Sequence, residues 1–310
     1  MVKCLVCGKE FENGFGPEIC PTCLGDEQSE HEQQFIPEEY KAHYSGVFGE
    51  CDYDTRMFKV FKGFKFNPNI KFLCYKYNCG LQPYIPEGYT SCCGMFKGCK
   101  LPKGFTLGDK FNTANVTDMR SMFEDCVIPE GFSLGEKFDT SNVTNMSAMF
   151  MHCELPAGFT LGDNFDTSSV KDMTAMFSKC SLPEGFTLGE KFNTSSVTTM
   201  KAMFEECRIP EGFTLGNEFD TSHVTDISFM FKGCILPEGF TLDDNFDTSS
   251  VTTMWFMFSK CSLPEGFTLG FNFNTLSVEF MDDMFEFCKL PRGINNQYNA
   301  ETIIEMLKYK

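Results

Sequence analysis

The chain has 310 residues, 26 basic and 43 acidic side chains and a net charge of −17. Such an acidic balance repels nucleic acid and anionic membranes and attracts basic partners or cations. No apolar run approaches the ~18 residues of a membrane helix. With 36 Phe, 18 Met and a single Trp, the interior is expected to be aromatic and thioether-rich.

The start, Met1-Val2-Lys3-Cys4, has no apolar signal-peptide core, so a cytoplasmic location is expected. In that setting the 17 cysteines read as thiols and metal ligands rather than a disulfide framework. Charge is uneven along the chain. Residues 99–294 hold 14 basic and 28 acidic side chains, a balance of −14, whereas the last 16 residues sum to zero.

Residues 1–25 contain Cys4-x-x-Cys7-Gly8 and, twelve residues on, Cys20-x-x-Cys23-Leu24-Gly25. Two such knuckles match a Cys4 zinc ribbon, in which Cys4, Cys7, Cys20 and Cys23 hold a structural zinc with no open coordination position. A segment this short cannot build a core, so the metal supplies the folding energy, on the order of 10 kcal/mol. Residues 26–39 are polar and acidic and read as a linker or solvated helix. Residues 40–94 shift to aromatics and lysines and read as an N-terminal cap, in which Ile85-Pro86-Glu87-Gly88-Tyr89-Thr90 looks like a degenerate repeat phrase. Cys51, Cys74, Cys79, Cys92 and Cys93 read there as buried small hydrophobes, with a second metal site as the rival.

From residue 95 to 294 the chain repeats. Cysteines fall every 27 residues from Cys99 to Cys288, each closing Met-Phe-x-x-Cys. Between them recur Pro-x-Gly-Phe-(Thr/Ser)-Leu and Phe-(Asp/Asn)-Thr-x-x-Val. One such unit cannot bury its apolar face alone, so the pattern calls for a stacked array. Gly-Phe-Thr-Leu reads as a short strand after a Pro-x-Gly turn, and Val-Thr-x-Met as a second. Met173, Met176, Phe177 and Cys180, at offsets 0, 3, 4 and 7, read as one face of a helical turn. The expected fold is thus an α/β repeat solenoid of 27-residue period, with short parallel strands, one-turn helices and a small zinc ribbon. Residues 295–310, with Asn299 as N-cap, read as a C-terminal capping helix.

The string Phe-Asp-Thr-Ser-x-Val-Thr-x-Met-x-x-Met-Phe-x-x-Cys, at Phe138 to Cys153 and nearly so at Phe165 to Cys180, closely resembles the repeats of BspA-type leucine-rich-repeat surface proteins. The resemblance covers roughly residues 95–291. It implies a leucine-rich-repeat-like solenoid used to bind other macromolecules, in relatives that are often bacterial surface proteins.

No catalytic constellation stands out. His31, His43, His152 and His223 are scattered, and no phosphate-binding loop is present. Glu130, Glu184, Glu211, Glu238 and Glu265 recur by rung, as a solvated column or a face for a basic partner. The Asp/Asn column from Asn112 to Asn274 fits turn chemistry or calcium between rungs. Exposed threonine columns fit β-propensity or a flat ice-binding face, and the cysteine column fits buried thiols or inter-rung disulfides.

The repeats lose their regularity toward one end. Phe229, Trp255, Phe256, Phe271 and Phe280 replace small or polar residues of earlier copies. Aromatics added to such columns suggest a partner-binding patch, or packing against the C-terminal helix. The expected function is a non-enzymatic protein-binding scaffold or adaptor that presents a rigid acidic surface. Its alternatives are a surface or virion-associated adhesion protein and an inhibitor that mimics nucleic-acid charge.

Overall fold

The computed structural model describes residues 90–290 except 102, 109, 110, 243 and 244, together with Ile85, Gly88 and four two-residue strands. These are β1 (Val2–Lys3), β2 (Glu10–Phe11), β3 (Met57–Phe58) and β4 (Cys74–Tyr75). β1 pairs antiparallel with β2, Lys3 facing Glu10, and β3 pairs antiparallel with β4. Cys4, Cys7, Cys20 and Cys23, the linker 26–39, and the segment 295–310 expected as a capping helix lie outside the described residues.

Between residues 90 and 290 the chain lies in rungs of 27 residues, each paired in parallel with the next. One column of bridges runs through Ser91, Asp118, Asn145, Asp172, Thr199, Asp226, Thr253 and Phe280. A second runs through Lys100, Val127, Glu154, Ser181, Arg208, Ile235, Ser262 and Lys289. The pairing places Thr90, not the Phe-Thr of the Pro-x-Gly phrase, in register with Thr117: the Thr117 N–H donates to the Thr90 carbonyl at 2.8 Å, as Thr144 does to Thr117. The look-alike phrase at 85–90 is thus shifted relative to the true repeat.

The first bridge column falls inside Val-Thr-x-Met, where a strand is expected. The second follows the cysteine, where none is expected. Gly-Phe-Thr-Leu carries no bridge among the described residues. Its Phe N–H is used within the preceding turn, Phe186 donating to the Pro183 carbonyl at 3.1 Å.

The segment from Met to Cys contains no helix among the described residues, which corrects the one-turn helices and with them the α/β description. Its N–H groups alternate between two destinations. Met173, Ala175, Phe177 and Lys179 donate to the next rung, at Thr199, Lys201, Met203 and Glu205, over 2.6–3.1 Å. Met176, Ser178 and Cys180 donate three residues back. The alternation requires left-handed residues at Ala175 and Lys179, both with φ of 55°. An isolated helical turn would leave most of its N–H and carbonyl groups without partners, whereas tandem turns stacked on a neighbour satisfy them.

Offsets 0, 3, 4 and 7 still point inward. In the rung from Phe165 to Leu188, the side chains of Phe165, Thr167, Val170, Met173, Met176, Phe177, Cys180, Leu182, Phe186 and Leu188 are all buried. Equivalent residues stack. Phe96, Phe123, Phe150, Phe177, Phe204, Phe231, Phe258 and Phe285 form one file with centroids 5.2–5.7 Å apart and rings within 9° of parallel. A second phenylalanine of the rung meets this file edge-on, as Phe186 does Phe177 at 6.0 Å and 71°. A third file joins Phe111, Phe138, Phe165, Phe192, Phe219, Phe246 and Phe273 at 6.4–6.5 Å. Such contacts add about 0.5–1.5 kcal/mol per pair beyond area burial.

The Asx turns are present as turn chemistry requires: the Asp166 carboxylate accepts from the Ser168 N–H at 2.9 Å, and Asp220 from Ser222 at 2.8 Å. The adjoining threonine acts across rungs. Buried Thr194 donates its hydroxyl to the Asp220 carbonyl at 2.7 Å, as Thr167 and Thr140, one and two rungs earlier, do to the Asn193 and Asp166 carbonyls. Thr194→Val, which keeps shape and strands that carbonyl, is expected to cost about 1–2 kcal/mol in urea unfolding. Thr198→Val, whose hydroxyl bonds Lys171 at the surface, is expected to cost under about 0.5 kcal/mol.

Candidate functional site

Of the aromatic substitutions, Phe229, Trp255 and Phe256 lie on the turns that follow the first bridge column, and Phe280 lies in that column itself. Trp255 and Phe280 pack edge-to-face, centroids 5.6 Å apart and planes at 79°. Phe229 and Phe256, equivalent positions of adjacent rungs, stack at 5.3 Å and 11°. The Phe229 N–H donates to the Trp255 carbonyl at 2.7 Å, which ties the two pairs together. Lys201 and Lys232 hold their ammonium groups 5.8 and 5.0 Å from the Phe229 ring centroid. Trp255 is 42% exposed and Phe280 48%, while Phe229 and Phe256 are half-buried.

Phe229 and Phe256 occupy the left-handed region, with φ of 62° and 55°. Earlier rungs place Ser121, Ala148, Ala175 and Ala202 there. A bulky side chain in this conformation is a genuine outlier, and such strain costs of order 1–3 kcal/mol.

Phe271 belongs to a different place. It stands 90% exposed in the corner column of Glu136, Asp163, Glu190 and Asn217. Between two earlier rungs that corner forms a groove of ≈ 370 Å³, lined by Thr187–Gly189, Glu190, Phe192, Thr214–Gly216, Asn217 and Glu218. Four exposed apolar residues escaped the sequence reading. Val127 and Ile235 stand among polar residues of the second bridge column. Leu276 stands where Ser168, Ser195, Ser222 and Ser249 stand, and Phe287 where Lys179, Glu206 and Lys260 do. Their signal was the same as for Trp255, a departure from a polar column.

The acidic column is where the repeat put it: Glu130, Glu184, Glu211, Glu238 and Glu265 are all exposed, on the turns after the second bridge column. It therefore lies on other turns of the rung than the aromatic pairs. Among the described residues no group of three or more His, Cys, Asp or Glu side chains is arranged to hold a metal. His152 pairs with Asp125 at 2.8 Å on the surface, and His223 sits beside the Ser222 hydroxyl at 3.2 Å. No helix among the described residues is long and apolar enough to cross a membrane.

Among the described cysteines Cys92 is buried, whereas Cys93 is exposed. The thiols of Cys153 and Cys234 donate back to the Phe123 and Phe204 carbonyls at 2.8 and 2.9 Å. Burial pushes the Cys126, Cys180, Cys207 and Cys261 thiols well above the usual range, with neighbouring thiols adding to it. Burial pushes Cys153 and Cys234 up to about 12. A protonated, carbonyl-bonded thiol is a poor nucleophile, so this column is packing.

Because the folded values lie above the unfolded one near 9, the thiol contribution is complete below pH 9 and lost as pH rises toward about 12. Unfolding midpoints are expected to fall above pH 9, each buried thiol adding up to about 1.4 kcal/mol per pH unit to the slope. Cys180→Ala should flatten that alkaline slope measurably in thermal melts. At neutral pH, alkylation with peptide mapping should modify Cys93 and spare Cys126 to Cys261.

A family model described as Mycoplasma protein of unknown function, DUF285, matches residues 90–211, 159–236 and 211–309. The first match begins where the parallel pairing begins. No curated protein and no solved structure matches the chain.

Proposed function

We propose, for a chain that belongs to the DUF285 family and is a repeat protein, the role of a non-catalytic protein-binding scaffold whose working surface is the aromatic turn face. The observation that carries this reading is the strained pair Phe229 and Phe256, stacked beside the half-exposed Trp255–Phe280 pair. Strain is tolerated where the surrounding structure holds it and function rewards it. Exposed aromatics on a preorganised surface bind with little ordering cost, and Trp is among the residues that dominate interface energies. The exposed Glu184, Glu211, Glu238 and Glu265 column and the acidic balance of the array favour a basic protein partner and disfavour nucleic acid.

The array is read as a leucine-rich-repeat-like solenoid of the BspA type, in which short bridges and tandem turns replace long strands and helices. That likeness also supports a second role, adhesion at a cell or virion surface. At the N-terminus, Cys4, Cys7, Cys20 and Cys23 are read as a structural zinc site. What supports this is the spacing of the two knuckles, together with the pairing of Lys3 with Glu10 on either side of Cys4-x-x-Cys7 in the sequence. Four thiolates suit tetrahedral zinc, which would hold the segment folded.

Affinity capture from the source cells with the intact protein, beside Trp255→Ala/Phe256→Ala, tests the surface. A partner held by the parent and lost at least ~10-fold by the folded variant supports it. Equal retention overturns it, and cleavage of the protein by protease added to intact cells would favour adhesion instead. For the ribbon, elemental analysis is expected to find about one zinc per chain. Cys20→Ser should abolish it and expose residues 1–25 to protease without moving the melting point of the array.

A further inference from the structure

On the turns between Met and Cys, the earlier rungs answer each acid with a basic side chain of an adjoining rung. Glu124 meets Lys97 at 2.8 Å, and Asp125 meets the His152 imidazole at 2.8 Å. Glu205 meets Lys232 at 2.9 Å, and Glu206 meets Lys179 at 4.0 Å. The turn from Met281 to Cys288 breaks this habit. Asp282 is exposed and Glu286 half-buried, and neither has an ion-pair partner among the described residues.

Asp282 follows Trp255 in the same outward column, one rung on: the Phe256 N–H donates to the Asp282 carbonyl, as the Phe229 N–H does to that of Trp255. The two aromatic pairs therefore differ in their charges. The Phe229 ring already carries the Lys201 and Lys232 ammonium groups, at 5.8 and 5.0 Å from its centroid. Among the described residues no cation lies over Trp255, which is 42% exposed and has an unpaired carboxylate as its neighbour. One half of the face holds rings with their cations. The other half holds a ring and an anion, with the cation missing.

We propose, resting on the reading of this face as a binding surface, that Trp255 and Asp282 receive an arginine side chain of a basic protein partner. Indole is the strongest of the aromatic cation sites. A planar guanidinium lies flat on such a ring while its edge N–H groups reach a carboxylate, which the compact ammonium of lysine cannot do at once. Phe280, packed edge-to-face on Trp255, supports the indole from the side. The lysines at Phe229 repel a second cation, so they direct the arginine toward Trp255.

Trp255 is the only tryptophan of the chain, so the emission of the full-length protein reports this ring directly. The probes are acetyl-(Gly-Arg)4-amide and acetyl-(Gly-Lys)4-amide, which carry equal charge. The arginine peptide is expected to change the emission saturably, with a midpoint at least ~3-fold below that of the lysine peptide. Asp282→Asn should raise the arginine midpoint at least ~3-fold, whereas Glu130→Gln, which removes the same charge several rungs away, should move it less than ~1.5-fold. Equal midpoints for the two peptides, no response to either, or equal shifts from the two variants overturn the proposal. Affinity capture separates this inference from the surface reading. A partner lost by Trp255→Ala/Phe256→Ala but held equally by the parent and Asp282→Asn keeps the surface and overturns the arginine. Retention by all three removes the surface and the arginine with it.

Discussion

Every backbone N–H that points along the stack axis has one destination, a carbonyl one rung away, and the rest of the structure answers to that requirement. Because the bond runs from a residue to the carbonyl 26 positions on, as from Ala175 to Lys201, the period cannot drift by even one residue between Ser91 and Lys289. A slip would turn every inward side chain outward. The same requirement explains the turns between Met and Cys. Sending alternate N–H groups to the neighbour forces φ positive at two positions per rung, and these positions hold Gly94 and Gly98, Ala175 and Lys179, Phe256 and Lys260.

Fixed register also makes each residue meet its own kind. Phenylalanines form files, buried threonines bond the next rung, and thiols stack in a buried column whose desolvation keeps them protonated. Charge is handled differently because like charges would also stack. Where acids occupy the turns, a cation of an adjoining rung often answers: Lys97 meets Glu124 at 2.8 Å, and Lys232 meets Glu205 at 2.9 Å. These exposed or half-exposed pairs contribute little stability individually. Their effect is to let one residue type be repeated in a column without building an unscreened line of charge. The unanswered column, Glu184 to Glu265, stays on solvent-facing turns where water screens it.

The inward columns were legible because period and hydrophobicity coincide, and every file from Val116 to Phe273 is where the repeat places it. The helical turn was not, because offsets of 3 and 4 describe tandem turns as well as a helix. A discriminating signal existed in glycines at Gly94, Gly98 and Gly233 and in the absence of β-branched residues from both left-handed columns. Gly233 has a second reason, since a Cβ there would meet the Glu206 side chain at 2.9 Å. The phrase at 85–90 misled because motif likeness ignored register. The aromatic cluster was legible as four residues that break their columns, but sequence could not say that Phe271 stands at another corner.

A stack built from identical rungs gives every rung the same surface, so recognition of one partner at one place has to come from departures. Phe229 and Phe256 put large rings, in two consecutive rungs, at a left-handed column that earlier rungs fill with Ser121, Ala148, Ala175 and Ala202, and a bulky side chain is disfavoured there. Their stacking at 5.3 Å and the lysines over Phe229 recover part of that cost, yet Ala202 one rung earlier shows that the fold needs no ring there. Nor does core packing call for them, since the files beneath are complete through Met230, Phe231, Met257 and Phe258. Rings that half-cover one another and remain accessible beside an exposed tryptophan are the departure on which the proposed binding role rests.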